Sequence, residues 1–176
     1  HYPLSQLDAV DRVLLISAAG GNMAELEKYS IQAVDYVELN PTVAEVQFRY
    51  KMIKNINGLQ VIHQDGRAYL RQTNKKYDAI IVNLPEPNTF QVNRFFTDGF
   101  FASAARHLAK NGILSFSMQG FDNFLAEPQR QKLSSLFNTA AAHFNHVLLL
   151  PGQKVFFLCR NRPLTPDIPG ALDRKN

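Results

Sequence analysis

The chain of 176 residues carries a single cysteine, Cys159, so it can hold no internal disulfide, and that usage fits a reducing compartment. Cys159 falls in the apolar run "VFFLC" and reads as a buried structural thiol rather than a nucleophile. No apolar run approaches the roughly 18 residues that span a bilayer. The first residues, "HYPLSQLDAVDR", lack the basic start and apolar stretch of a signal peptide. His63 and His107 have no acid or thiol at metal-ligand spacing, so no metal is expected. No serine or cysteine lies in a nucleophile-elbow motif. A dense basic stripe is missing too. The formal net charge of +4 is spread out, clustering only at "NKKY" and the C-terminal "DRKN", so nucleic acid is not an expected partner.

What is present is a globular composition. Hydrophobic residues make up 45% and charged residues 19%, enough for one soluble domain with a sizeable core. Short β-rich apolar runs occur at 13–16, 33–39, 59–63, 79–82, 113–118, 147–150 and 155–159. Helical patterns separate the first five, which predicts a parallel sheet with helices on both faces. Only "PGQK" joins the last two, a hairpin-sized link that predicts an antiparallel pair at the end.

Helix boundaries follow from cap residues. Asn22 with Glu25 resembles a capping box. Asn40 followed by Pro41 gives a cap and a first-turn proline, with Val43, Val46, Tyr50 and Ile53 as the expected inner face. Asp65 caps a helix through Leu70. A helix ending in "HLAKNG" is expected to stop at a left-handed Gly112. The last long helix begins near Pro128, with Leu133, Leu136, Phe137, Ala140, Ala141 and Phe144 along one face. Phe95, Phe96, Phe100 and Phe101 read as core at a helix start rather than as a substrate wall. The domain is expected over 1–162, followed by an irregular, proline-bearing tail over 163–176.

In open α/β sheets ligands bind beyond the carboxyl ends of the strands. The first run ends in "SAAGGN", where Gly20 and Gly21 permit a tight turn and close approach of a ligand. The second reaches Glu38, 17 positions after Gly21, near the roughly 20-residue spacing of a ribose-binding carboxylate. The third leads to Asp65 and the fourth to Asn83. A glycine turn followed by two acids points to a nucleoside-bearing ligand. No G-x-G-x-x-G and no lysine-bearing phosphate loop is present, which favours an adenosine without phosphates: S-adenosylmethionine or a derivative.

These segments resemble the spermidine/spermine synthases, the polyamine aminopropyltransferases. "DRVLLISAAGGNMAELEKY", "VDYVELNPTVAEV" and "HQDGRAYL" are similar to the family's glycine loop, ribose-binding strand and adenine-contacting segment. "YDAIIVNLPEPNTFQVNRFFTDGFF" and "VLLLPGQKVFFLC" resemble a bacterial branch in which this domain follows a membrane-spanning region. The resemblance implies an α/β class I methyltransferase-like Rossmann fold, a mostly parallel seven-stranded sheet with a C-terminal antiparallel hairpin. It implies aminopropyl transfer from decarboxylated S-adenosylmethionine to a polyamine. Ser17, Gly20 and Gly21 then belong to the donor loop, Glu38 to the ribose, and Asp65 with Gly66 to the adenine. Asn83 stands at the catalytic aspartate and Glu86 at a second, amine-binding aspartate.

Three departures stand out. "SAAGGN" has no acid for the donor's amine, Asn83 replaces the general base, and His1 falls where the family's upstream Tyr-His-Glu stretch ends. The family's small N-terminal β-domain would precede that point, so a longer, membrane-anchored protein is expected, with this domain in the cytoplasm or on the cytoplasmic face. Glu86 is the substitute base if transfer occurs. Methyl transfer from S-adenosylmethionine and nucleoside binding without catalysis stay open. So does the oligomer, a homodimer among the options.

Overall fold

The computed structural model describes residues 1–17, 25–53, 58–121 and 124–173. Seven strands form one sheet: β1 Arg12–Ile16, β2 Ala33–Val37, β3 Leu59–Ile62, β4 Tyr77–Val82, β5 Leu108–Gln119, β6 His146–Leu150 and β7 Lys154–Arg160. Their spatial order is β3-β2-β1-β4-β5-β7-β6. The first five pair in parallel. β7 runs antiparallel to both its neighbours, β5 and β6. The expected fold class holds, and each apolar run of the sequence corresponds to a strand. The terminal hairpin has a position the sequence did not reveal: the last strand lies between β5 and β6.

Both faces of the sheet are covered. Val13, Leu14 and Leu15 are each fully buried, which is why β1 reads as an uninterrupted apolar run. Helices α1 Tyr2–Ser5 and α2 Pro41–Arg49 lie on one side, where Leu4, Leu15, Tyr36, Ala44 and Leu158 form one cluster. Helices α3 Gly66–Gln72, α5 Asp98–His107 and α6 Glu127–Ala141 cover the other. Between β4 and α5 come a short helix, α4 Phe90–Asn93, and a 3-10 turn, Arg94–Phe96. Phe95, Phe96, Phe100 and Phe101 are core, as expected, and Phe116 stacks on Phe157 at 4.6 Å. Among the described residues no helix is long and apolar enough to cross a membrane.

Asn40 accepts from Thr42 N at 3.0 Å and caps α2 as expected. The expected inner face of α2 is corrected at three of its four residues; Ile53, just beyond the helix, is buried as expected. Val43, Val46 and Tyr50 point outward, and Ala44 and Gln47 point in. Gln47 is inside because its Oε1 lies 3.2 Å from the buried Tyr36 hydroxyl. On α6, Leu133, Leu136 and Ala140 are buried, but Phe137 and Ala141 are exposed. Gly112 is no helix cap. The helix stops at His107, and Leu108 turns extended to pair with Tyr77 of β4. Register slips between Tyr77 and Ala79, and there a side chain at residue 112 would meet Tyr77 O at 2.8 Å. The tail, expected to be irregular, forms α7 Ile168–Asp173 with Ala171 buried. Gln6 fastens it, accepting from Thr165 N at 2.9 Å and donating to Thr165 O at 3.2 Å. The capping reading of Asn22 lies outside the described residues.

Candidate functional site

The order of the strands reverses between β1 and β4: β2 and β3 follow on one side, β5 on the other. A crevice is therefore expected beyond the carboxyl ends of β1 and β4. The register pairs Ile16 with both Val37 and Val82, and Val82 with Phe116. One step further, Glu38, Ser17, Asn83 and Ser117 come level. Four neighbouring strands thus each bring one polar residue to the edge, on the face above Tyr36, Leu15, Ile81 and Ser115.

Ser17 departs from the strand with φ 57°, a left-handed conformation that costs a non-glycine residue on the order of 1 kcal/mol. Two bonds hold it there. Its N–H donates to Val37 O at 2.9 Å, and its hydroxyl donates to Glu38 Oε2 at 3.0 Å. Gly20 and Gly21 lie outside the described residues.

Glu38 is buried, at 7% exposure, directly after β2. Its Oε1 accepts from Asn40 N at 3.0 Å, and the Tyr36 hydroxyl lies 3.4 Å from Oε2. Burial, and then the Glu38 charge, push the Tyr36 phenol above its ordinary range, so Tyr36 remains a donor. A hydroxyl donating to Glu38 Oε2 is the contact that a ligand diol would make. Leu39, next along, is 63% exposed and offers an apolar surface beside it.

Asp65 caps α3, accepting from Ala68 N at 3.0 Å through Oδ1. Its Oδ2 is bonded by Arg94 Nη2. Gly66 packs where no side chain fits: an added Cβ would lie 2.7 Å from Ile16 Cγ2 and 3.1 Å from Phe95 Cε1. Glycine thus lets the start of α3 sit against the end of β1, which sets Asp65 at the carboxyl edge of the sheet.

Asn83 extends β4, its N–H donating to Ile16 O at 2.9 Å. Among the described residues its side-chain amide has no hydrogen-bond partner. Glu86 is engaged at both oxygens. Gln119 N donates to Oε1 at 2.6 Å and Lys132 Nζ to Oε2 at 2.6 Å, so Glu86 ties the loop after β4 to the end of β5 and to α6. A cavity of about 430 Å³ borders the same face, lined by Tyr2, Leu15, Glu25, Ile81, Ser115 and Phe156 among others.

The structure thus brings Ser17, Glu38, Asp65, Gly66 and Asn83 to one edge and turns the Glu86 carboxylate to Lys132. Arg94, Lys132 and Ser117 were not singled out from the sequence. Ser117 had a signal, the alternation in "ILSFSMQ"; Arg94 and Lys132 had none.

Sheet order and edge define a class I methyltransferase-like Rossmann domain. The Spermine/spermidine synthase domain family matches residues 1–159, and the chain belongs to that family. It is 28% identical over 147 residues to Polyamine aminopropyltransferase 2 of Aquifex aeolicus, covering 79% of this chain and 29% of that protein. To the polyamine aminopropyltransferase of Prochlorococcus marinus (strain CCMP1986) it is 29% identical over 164 residues, covering 86% of this chain and 56% of the relative. The chain spans from 24% to 56% of the length of such curated relatives. A spermidine synthase solved with the transition state analogue AdoDATO superposes at TM-score 0.76, 19% identity, over 97% of this chain and 60% of that one. Human Methyltransferase-like protein 13 in complex with SAH gives 0.75, 17% identity, over 99% and 85%. At these identities the two structures support the fold.

Proposed function

We propose that this domain binds an adenosine-bearing sulfonium, S-adenosylmethionine or its decarboxylated form, at the carboxyl edge of β1 and β2. The observation that carries this reading is the Glu38 carboxylate, buried and oriented by Ser17 and Asn40. Glu38 holds the ribose hydroxyls, Asp65 faces the adenine, and Ser17 with the Gly20–Gly21 segment flanks the sulfonium arm.

Family membership supports aminopropyl transfer as the reaction class. In that reaction an acceptor amine attacks the carbon next to the sulfonium, and the carbon–sulfur bond breaks. The electron pair passes to sulfur and leaves a neutral thioether, and the amine must first have lost a proton. An alkyl ammonium titrates near 10.4, so at pH 7 that proton costs roughly 4–5 kcal/mol to remove. Asn83 accepts a hydrogen bond but no proton. Glu86 is held by an ammonium and a backbone N–H, away from that role. Those two residues favour a second reading, in which the domain binds the nucleoside and transfers slowly or not at all. The finer placement, in a branch linked to a membrane region, rests on residues 77–101 and 147–159 of the sequence alone.

The test is calorimetry with methylthioadenosine and both sulfonium forms. The wild type is expected to bind, and Glu38→Ala to weaken binding by about 1.5–3 kcal/mol, the range for bonds to a charged group. Equal affinity in the two proteins would remove Glu38 from the site. No binding at all would overturn the reading.

A further inference from the structure

Arg94 brings a second charge to Asp65 at the start of α3, beside the end of β1. The side chains are 38% and 18% exposed, so the ion pair lies at the surface of the site rather than sealed beneath it. The guanidinium is held from behind. Its Nε donates to Gln91 O at 2.8 Å, and its Cζ lies 5.3 Å from the centroid of the buried Phe95 ring. Phe95 in turn packs against the start of α3 at Gly66. The guanidinium is thereby fixed beside the carboxylate.

Hydrogen-bonding capacity is left over on both partners. A guanidinium has five N–H donors, and among the described residues Arg94 uses them on Gln91 O and Asp65. A carboxylate has about four lone-pair sites, and Asp65 uses Oδ1 for Ala68 N and Oδ2 for Arg94. The pair therefore presents an acceptor next to a donor.

That combination matches the edge of a purine in two ways. A 6-aminopurine offers a donor on the C6 amine and an acceptor at N1. A 6-oxopurine offers an acceptor at O6 and a donor at N1–H. We propose that Arg94 contacts the nucleobase, and that Asp65 and Arg94 together read the 1,6-edge of a purine in either order. The site then takes 6-oxopurine nucleosides nearly as well as 6-aminopurine ones. This rests on the reading above, in which Asp65 faces the base. Asp65 alone would accept from the amine of adenine but would face O6 of hypoxanthine with a like partial charge.

Calorimetry with methylthioadenosine and methylthioinosine tests it on the whole chain. The wild type is expected to bind the two within about fivefold, because each presents one donor and one acceptor. Arg94→Met is expected to lose affinity for methylthioinosine selectively, widening the ratio by about tenfold or more, as for a site left with an unpaired polar group. Arg94→Lys, which keeps a charged donor, should retain most of the tolerance. A general loss of fold lowers both affinities and the melting temperature together and leaves their ratio unchanged. An unchanged ratio in an Arg94→Met protein that melts as the wild type does, or in Arg94→Gln should Arg94→Met unfold, overturns the proposal. A wild type that disfavours methylthioinosine by about a hundredfold or more overturns it without any variant. If methylthioadenosine binds and depends on Glu38 while the ratio ignores Arg94, only the role of Arg94 fails. If the wild type binds neither nucleoside, the parent reading fails with it.

Discussion

Lys132 of α6 donates to Glu86 Oε2 at 2.6 Å, and the same carboxylate accepts from Gln119 N at 2.6 Å. Glu86 therefore braces the loop after β4. A half-exposed ion pair contributes about 0.2–1 kcal/mol, whereas a charged bond to backbone contributes about 1.5–3 kcal/mol. Glu86→Ala is thus expected to destabilise more than Lys132→Met in urea unfolding. Both should loosen residues 83–89 to hydrogen exchange. If Glu86→Gln abolished amine transfer while Lys132→Met left it intact, Glu86 would be a base and not a brace.

Wild-type protein is expected to transfer little or no aminopropyl group to putrescine. Asn83→Asp adds a titratable group level with Ser17 and Ser117, and a positioned base gives about 10²-fold at the lower end of its usual range. Product formation from decarboxylated S-adenosylmethionine, wild type and variant side by side, measures the gain. Brisk turnover by the wild type would overturn this assignment.

Asp35 on β2 forms the main polar knot of the core. Its Oδ2 accepts from Tyr77 at 2.7 Å, Tyr69 at 2.8 Å and Lys75 Nζ at 2.8 Å. Burial alone would raise the Asp35 carboxyl, but Lys75, Tyr77 and Tyr69 outweigh it and hold it below the ordinary carboxylate range. Burial also works against the Lys75 ammonium, yet Asp35 holds it above its ordinary value. The Asp35 contribution is therefore full above about pH 3.9 and is lost as pH falls through the lower folded value. That of Lys75 is full below about pH 10.4 and is lost as pH rises through the higher folded value. Asp35→Asn should cost on the order of 3 kcal/mol near neutrality and flatten the acid limb of the stability curve. A melting profile against pH that matches wild type would show that the knot contributes nothing.

Cys159 is fully buried on β7, and burial pushes its thiol well above the ordinary range. Native protein should resist iodoacetamide and become alkylated only on unfolding, with a rate that tracks the open population. Rapid labelling under native conditions would place the thiol at the surface.

The sheet was legible because strands buried on both faces leave continuous apolar runs, as at 13–16 and 79–82. Glu38 and Asp65 were legible for a related reason, being carboxylates where such runs stop. What failed was governed by contacts distant in sequence. In α2, Val43, Val46 and Tyr50 repeat at helical spacing, yet Gln47 is the residue turned inward because Tyr36 meets it there. At "KNG" the local signal for a helix end lost to the pairing of Leu108 with Tyr77. Arg94 and Lys132 find their acids 29 and 46 positions away, a distance over which sequence carries no pairing signal.

The position of β7 has a consequence for how the chain is made. It is the last of this sheet's seven strands to be synthesised, yet Phe157, Leu158 and Cys159 within it are fully enclosed between β5 and β6. A nascent chain leaving the ribosome at about 5–20 residues per second can assemble β1 to β5, but β5 keeps an open edge until residue 160 has emerged. β6 arrives earlier and has no native place against β5. For that interval the growing domain presents an unpaired apolar strand, a template for pairing with the wrong partner, and the short "PGQK" link limits the delay by delivering β7 directly behind β6.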